Sequence, residues 1–584
     1  MAMHSDSPVR GVSTFCGAVS GLALWGLGEL WGQGAVPALA VLVGMAFVLV
    51  QGAMTLTLIG TLPARRAAVG ALGLSLPMAL LLGWAGMRFD PATDLMREPA
   101  AALMALLLAL YAAPFLLVRL TEPPRWRTYT ALFDAAWTMH LRFVLALVFA
   151  GLFWLLLGLS NELLKLVDVR IIGALLTREW LAFTLTGGLI GLGAAVVTEL
   201  RGMITPFLFL RLLRLMVPVA LVVVTVFLAA VPLRPLSALF GGLSAAATLM
   251  GTAIAAITLV SAALDQSDAA ATPSLWMQRA TRALAVLVLP LTGLAVWAVA
   301  QRVVQYGWTP DRVLAQTAAV LLFAYGAAYA VGAALRGPWM DRIRQANVAL
   351  AGGVIGASAL WMTPVLNPQQ ISTASQIARY ADGRSGIEAL PLWEMAHEWG
   401  KPGLAGLARL EDRGEAELSR RIALARDSTS RFRFRREAEG DDRPDMIARI
   451  VSGLVVMPGQ KRLAPADLEG LPVYRLRAWV RGCETELPDG KAGCVLVLGR
   501  FDALSAIQRQ GLMLYAAGVE ASIDLVYLSG EGKSRVQRVR GTRQPVNPQL
   551  PLSAISEAQD GQFRLEPTGS QALWIGGEGL MSGN

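Results

Sequence analysis

One stretch of the chain places two arginines and a tyrosine where they could bind an anion. Residues 305–312 read Gln-Tyr-Gly-Trp-Thr-Pro-Asp-Arg, and Arg302 lies about one helical turn before Tyr306. Guanidinium groups pair with phosphate and carboxylate, so Arg302, Tyr306 and Arg312 are candidates for contact with a substrate or a lipid headgroup. A purely structural interpretation also fits, because Thr309 is a good helix N-cap and Pro310 suits the first helical position.

Ionisable side chains inside apolar segments are the usual mark of a transport path. Few occur here, and those present lie at the ends of apolar segments. Glu162 and Lys165 are one turn apart, so we predict an ion pair between them. The absence of an Asp or Glu relay from the middle of the segments disfavours an ion-coupled transporter.

Enzyme motifs are incomplete wherever they begin. His397-Glu398 would start a zinc-protease helix, but position 401, which needs a second histidine, holds Lys401. Gly532-Lys533-Ser534 resembles the end of a phosphate-binding loop, but the required first glycine is replaced by Tyr527. With only three histidines in the chain, we predict no metal site, no cofactor and no catalytic residues.

Almost two-thirds of the chain has the composition of a membrane domain. The mean hydropathy is +0.51, and charged residues make up 16% of the chain. A bilayer core of about 30 Å needs about 20 apolar residues in a helix. We therefore predict a membrane all-α domain over residues 1–365 with about eleven transmembrane helices. The segments are 11–29, 35–60, 67–86, 99–118, 143–160, 181–200, 212–231, 238–262, 283–301, 313–335 and 347–365.

The net charge of +9 comes from the membrane part. Residues 1–365 hold 23 Lys and Arg against 15 Asp and Glu, whereas residues 366–584 hold 28 against 27. Basic loops between spans are typical of membrane proteins. The positive charge therefore predicts contact with the lipid bilayer and no nucleic-acid partner.

The loop charges also predict an orientation. With the N-terminus inside, the inner loops hold 15 Lys and Arg residues, including Arg201. The outer loops hold 8, including Arg170 and Arg234. Positive loops stay in the cytoplasm. An odd number of spans then places the C-terminal domain in the periplasm of a bacterium, with the protein in its inner membrane.

The remainder of the chain has a soluble composition. We predict a helical extramembrane segment over 366–426, a charged linker over 427–449 and an α+β extramembrane domain over 450–584. Strands are expected near 473–481, 494–499, 520–528, 534–540 and 571–576, and a helix near 502–517. Alternating Arg and Phe over 431–436 suggest a strand that contacts anionic headgroups, or an incidentally charged linker.

Cys483 and Cys494 flank a turn signal, Pro488-Asp489-Gly490. This spacing suggests a hairpin with a disulfide near its tip, and disulfides persist in oxidising compartments such as the periplasm. Two free buried thiols are the alternative.

Three stretches resemble a known bacterial family. They are residues 129–137 (Tyr-Thr-Ala-Leu-Phe-Asp-Ala-Ala-Trp), 302–312, and 367–379 with its Asn-Pro start. Together, over roughly residues 125–410, they resemble the polytopic inner-membrane proteins known only as domain of unknown function 4153. The resemblance implies a multi-helix membrane domain with an extramembrane C-terminal part. It implies no activity and no site residues.

The sequence thus favours a non-enzymatic role, as a cell-envelope scaffold or sensor with a periplasmic C-terminal domain. Its partners would be the lipid bilayer and other envelope proteins. The alternative is a transporter or lipid-handling protein with a path among the helices.

Overall fold

The computed structural model describes residues 7–582 apart from short gaps. Arg170, Arg201, Arg234 and Gly532, which enter the sequence arguments above, lie outside the described residues. The chain divides into two compact units, Met1–Asp427 and Ser428–Asn584, and each is described by itself. The gaps are residues 168, 170, 200–205, 234–242, 273, 439–442, 460–462, 503–504, 506, 508, 519, 530–532, 542–549, 568–570 and 576–577.

The first unit is built from helices. Lipid offers no partner for backbone N–H and C=O groups, so each apolar run satisfies them internally as a helix. The helices that precede the bend described below are α1 (Ser7–Gly32), α2 (Ala38–Leu58), α3 (Ala64–Gly86), α4 (Pro99–Thr121), α5 (Tyr129–Leu166), α6 (Ile171–Leu176), α7 (Glu179–Glu199), α8 (Pro206–Leu215), α9 (Val217–Ala230), α10 (Leu243–Leu264), α11 (Leu275–Tyr306), α12 (Pro310–Ala334) and α13 (Trp339–Met362). Four shorter helices complete the unit, namely α14 (Pro368–Ala381), α15 (Leu392–His397), α16 (Gly400–Glu411) and α17 (Ala416–Asp427).

Ten helices of the described chain are long and apolar enough to cross a membrane. Helices α13 and α14 meet at an 82° bend and make an eleventh span if they are counted together. The predicted span 143–160 is part of a longer helix, because α5 already begins at Tyr129. The prediction of a membrane domain of about eleven helices is confirmed.

Helices α1 and α7 pack through glycines. A Cβ atom added to Gly17 would lie 2.0 Å from the Gly187 carbonyl oxygen, and one added to Gly191 would lie 2.2 Å from that of Ser13. Gly17 and Gly21 are four residues apart, as are Gly187 and Gly191. Small residues at this spacing let helix backbones touch in a membrane, where dispersion contacts rather than the hydrophobic effect hold helices together.

Two arginines link helix ends at the end of the bundle where the chain begins. The exposed Arg10 in α1 pairs with Glu199 at the end of α7, whereas Arg142 is buried. Arg142 donates to the carbonyl oxygens of Ala194 (2.8 Å) and Thr57 (3.2 Å). These bonds supply acceptors to buried guanidinium donors, which would otherwise be costly in an apolar interior.

A second group of charged side chains links α8, the end of α10 and the start of α13. Arg214 pairs with the buried carboxylate of Asp265. Arg344 bonds to Asp268 and Asp341, each at 2.6 Å. The loop between α10 and α11 is therefore held against the start of α13.

The second unit is an α+β domain, as predicted. Its helices are α18 (Arg431–Ala438), α19 (Arg443–Gly453), α20 (Val473–Glu484) and α21 (Ser553–Gln559). Its strands are β1 (Val455–Met457), β2 (Cys494–Leu498), β3 (Gln510–Ala517), β4 (Glu520–Tyr527), β5 (Arg535–Gly541), β6 (Leu550–Pro551), β7 (Arg564–Pro567), β8 (Gln571–Ile575) and β9 (Glu578–Ser582).

These strands form a nine-stranded sheet in the order β1-β2-β3-β4-β5-β9-β8-β7, with β6 paired to β4. Strand β1 runs parallel to β2, and the other paired strands are antiparallel. Leu496 and Met513 face α19 and α20, whereas Val497 and Leu512 face α21. Because both faces are covered, β2 and the part of β3 after Gln510 are apolar without a break.

Three local predictions are wrong. Residues 473–481 are not a strand but part of α20, because Leu476, Trp479 and Val480 lie on one helical face towards the sheet. The helix expected near 502–517 is wrong for Gln510–Ala517, which is strand β3, whose two buried faces hide the alternation expected of a strand. Residues 431–436, for which a strand and a charged linker were the alternatives, begin helix α18, so neither holds.

The predicted strands near 494–499, 520–528, 534–540 and 571–576 are confirmed as β2, β4, β5 and β8. The turn expected around Pro488 forms, with an antiparallel bridge between Glu486 and Ala492, but a helix rather than a strand leads into it. Cys483 lies in the last turn of α20 and Cys494 begins β2. The range 427–449, predicted as a linker, contains α18 and the first part of α19.

Candidate anion-binding site

The structure brings the predicted Arg302, Tyr306 and Arg312 together. The Cζ atoms of Arg302 and Arg312 lie 5.7 and 5.5 Å from the centre of the Tyr306 ring. These are cation–π distances. The predicted N-cap also forms, because the Thr309 side chain accepts a hydrogen bond from the backbone N–H of Arg312.

Many of the polar groups around this stretch form hydrogen bonds with carbonyl oxygens at the C-terminal end of α11. Arg312 Nη1 donates to the Gly307 carbonyl at 2.8 Å. Arg379 of α14 donates to the carbonyls of Val304 (2.9 Å) and Gln305 (2.7 Å). Gly307 has φ +76°, and a Cβ there would lie 2.5 Å from Arg379 Cδ. The arginines satisfy carbonyls that a helix C-terminus leaves without partners.

The two other predicted pairs are also close in space. Lys165 Nζ lies 2.7 Å from Glu162 Oε1 on the exposed end of α5. Solvent screens an exposed pair of this kind, so it contributes little to stability. Cys483 and Cys494 are joined as a disulfide with 4.6 Å between their Cα atoms, and they link α20 to β2.

A pocket that the sequence patterns did not indicate lies where α3, α14 and α16 meet. Its volume is about 500 Å³, within the range of small-ligand sites. Three basic side chains, Arg88, Lys401 and Arg409, line it together with Thr373 and Trp84. No Asp or Glu is among its lining residues. We call it the cationic pocket.

Arg88 is fixed by the helix end beside it. Its Nη2 donates to the carbonyl oxygens of Trp361 (2.8 Å) and Thr363 (2.6 Å), where α13 ends. Burial lowers the pKa of Arg88 to about 10, so the group remains charged at neutral pH. Its Nε and Nη1 atoms have no hydrogen-bond partner among the described residues.

Lys401 forms hydrogen bonds with the loop that follows α3. Its backbone N–H donates to the Arg88 carbonyl at 2.8 Å, and its Nζ donates to the Met87 carbonyl at 3.0 Å. The preceding Gly400 has φ +55°, and a Cβ there would lie 2.5 Å from the Arg88 carbonyl oxygen. Glycine is needed for this approach, which brings α16 against the end of α3.

Arg409 and Thr373 contribute polar groups that have no hydrogen-bond partner among the described residues. Arg409 lies two turns along α16 from Lys401 and has no ion-pair or hydrogen-bond partner in the described part of the chain. The Thr373 hydroxyl is buried and forms no hydrogen bond with any described residue. A concave site with basic groups, a spare hydroxyl and no acid is suited to phosphate or carboxylate.

Exposed apolar side chains border the cationic pocket. Trp84 is two residues before the end of α3, and Trp84 and Met87 are both about half exposed (48% and 51%). Helix α3 is long and apolar enough to cross a membrane, and tryptophan is enriched at the boundary between headgroups and hydrocarbon.

Comparison with known proteins identifies the family. Residues 35–391 match the family described as Domain of unknown function (DUF4153), which is more than half of the chain. The chain belongs to this family, and the match begins well before the resemblance noted at residue 125. No curated protein and no solved structure matches the chain. Family and helices together define an integral, multi-pass membrane protein in contact with the lipid bilayer.

Proposed function

We propose that this protein handles lipid in the inner membrane of a bacterium by binding an anionic headgroup in the cationic pocket. The observation that carries the proposal is the convergence of Arg88, Lys401 and Arg409 in one pocket that has no Asp or Glu among its lining residues. A basic side chain near a membrane surface contributes about 1 kcal/mol of attraction for anionic lipid.

The loop charges support a cytoplasmic N-terminus and a periplasmic pocket. Arg10 and Glu199 mark the bundle end where the chain begins. The pocket lies at the opposite end, where α3 finishes and α14 and α16 pack. The Cys483–Cys494 disulfide supports a periplasmic place for the second unit, because the cytosol keeps such pairs reduced.

A second candidate is a cell-envelope scaffold or sensor. The second unit supports it, because this unit has its own sheet and a core on each side of it. A folded module of this kind is suited to contact another envelope protein. In a sensor, the lipid bound in the cationic pocket would be the signal that the second unit reports.

Native mass spectrometry of the full-length protein tests the lipid proposal. Phosphatidylglycerol and phosphatidylcholine of the same acyl chains are titrated against the wild type and a Lys401→Gln/Arg409→Gln double variant. We expect tighter binding of phosphatidylglycerol, and a loss in the variant of about fivefold per charge removed, the factor that 1 kcal/mol represents.

Arg97→Gln is the matched control, because Arg97 is highly exposed, precedes α4 and does not line the pocket. Equal binding of the two lipids, or an equal loss in Arg97→Gln, would contradict the proposal. Free inorganic phosphate that competes as well as phosphatidylglycerol would show that the site selects a soluble anion instead.

A further inference from the structure

A second cavity lies inside the membrane domain, away from the cationic pocket. It is an open cavity of about 500 Å³ between α4, α5, α10, α12 and α13. No Asp, Glu, Lys or Arg is among its lining residues, and six of them are Phe, Tyr or Trp. We call it the aromatic cavity.

One face of α5 forms its wall. Tyr129, Phe133 and Trp137 follow one another at spacings of four residues, with ring centres 5.4 and 6.2 Å apart. His140 lies one turn further and also lines the cavity. Residues at this spacing share a helix face, so the stretch that carried the family resemblance presents its aromatic side chains to the cavity.

The end of the aromatic cavity nearest to Tyr129 is polar. Tyr329 donates to Asn347 Oδ1 at 2.7 Å, and Asn347 Nδ2 donates to Ser261 Oγ at 3.3 Å. The Tyr129 hydroxyl is buried against the Asn347 side chain of this network, but it forms no hydrogen bond of good geometry with any residue that the structure describes. Thr130 bonds to the Gln266 carbonyl in the loop after α10, so this end lies at the side of the bundle where α10 finishes.

The other end of the cavity holds the His140 side chain. Its imidazole lies against the backbone carbonyls of Ala136 and Leu110, the latter near the middle of α4. Its buried Nε2 forms no hydrogen bond of good geometry with a described residue. Pro114 has no N–H to donate to the Leu110 carbonyl, so the helix itself leaves it unsatisfied.

Unpaired polar groups at membrane depth are costly. Tyr129 and His140 are eleven residues apart, which is about 16 Å along a helix. We infer that the aromatic cavity binds an uncharged amphiphile whose hydroxyl or carbonyl oxygens meet Tyr129 at one end and His140 at the other. A charged headgroup is disfavoured, since the lining offers it no opposite charge.

Photolabelling of the full-length protein in phosphatidylcholine nanodiscs tests this inference. The probes are a monoacylglycerol with a diazirine in its acyl chain and the lysophosphatidate of the same chain, which differs only by its phosphate. We expect the monoacylglycerol to label peptides containing residues 129–140 and 257–261 at least about fivefold more than the lysophosphatidate, a factor typical of one net hydrogen bond.

Tyr129→Phe removes only the hydroxyl and should reduce this labelling about fivefold. Tyr306→Phe is the control, because Tyr306 is exposed at the other end of the bundle. His140→Phe is added with size-exclusion profiles as a check of folding. Equal labelling by both probes, or unchanged labelling in Tyr129→Phe, would overturn the inference and indicate that water satisfies these groups.

Discussion

Arg88 Nη2 donates a hydrogen bond to the carbonyl oxygen of Thr363 at 2.6 Å, across 275 positions of sequence. This bond fastens the loop after α3 to the end of α13, next to the 82° bend that leads into α14. The same guanidinium lines the cationic pocket. The residue that closes the helix end therefore also contributes positive charge to the proposed lipid site.

We predict different consequences for two pocket arginines. Arg88→Met leaves the carbonyls of Trp361 and Thr363 without their charged donor and should lower the free energy of unfolding by about 2–4 kcal/mol. Arg409→Met should change it by less than about 0.5 kcal/mol, because exposed side chains without partners contribute little. Thermal unfolding in detergent, followed by tryptophan fluorescence, compares them. Equal stability of the two variants would contradict the structural role that is assigned to Arg88 alone.

The membrane domain could be predicted from sequence because a run of about 20 apolar residues has one stable form in lipid. The cationic pocket could not. Arg88 follows α3 and Lys401 begins a helix 313 residues later, so no spacing links them. Only the packing of α16 on the loop after α3, through Gly400, brings them together.

Secondary structure in the second unit was harder to predict for a physical reason. Strand β3 has both faces buried, so its sequence lacks the alternation that marks a strand. In α20, charged residues alternate with apolar ones as they would in a strand. However, Leu476, Trp479 and Cys483 recur at helical spacing. The deciding information is which neighbours cover each face, and this is a tertiary property.

Close packing of α1 on α7 predicts a steric effect. Gly187→Ala places a Cβ 2.1 Å from the Gly17 carbonyl oxygen, so the helices must separate. Overpacking of this kind costs about 1–3 kcal/mol. Gly26→Ala, which meets nothing within 4 Å, is the control and should be neutral or slightly stabilising. Unfolding of both variants in detergent measures the difference, and a Gly187→Ala protein as stable as the control would refute the packing argument.

Burial, reinforced by the carboxylates of Glu398 and Asp311, raises the pKa of Glu98 to about 7 from its usual 4.5. The folded protein therefore holds this proton more tightly than the unfolded chain. The stability that Glu98 contributes is complete below pH 4.5 and is lost as the pH rises to about 7. In Glu98→Gln this loss should be absent between pH 5 and 8.

Melting temperatures of wild type, Glu98→Gln and the exposed control Glu122→Gln across that pH range test the point. The two proteins that retain Glu98 should lose stability in parallel as the pH rises. A Glu98→Gln profile with the same slope as the wild type would exclude Glu98 as the titrating group.

The disulfide predicts how many thiols react with a maleimide and how much stability is lost when it is removed. In cells, a mass-tagged maleimide should modify one cysteine, Cys16, before reduction and three after it. Cys483→Ser/Cys494→Ser should lower the stability of the second unit by about 3 kcal/mol, the chain-entropy value for a loop of about eleven residues. Three reactive thiols before reduction would contradict the periplasmic placement of the second unit.

The most direct test of the central claim is to locate a bound anionic lipid. Photoactivatable phosphatidylglycerol, with a diazirine close to its headgroup, is cross-linked to the full-length protein in nanodiscs and mapped by mass spectrometry. We predict cross-links within residues 84–88 and 401–409 that unlabelled phosphatidylglycerol displaces and that Lys401→Gln/Arg409→Gln abolishes. Cross-links spread over the lipid-facing helices, unchanged in that double variant, would contradict the assignment of the cationic pocket as a headgroup site.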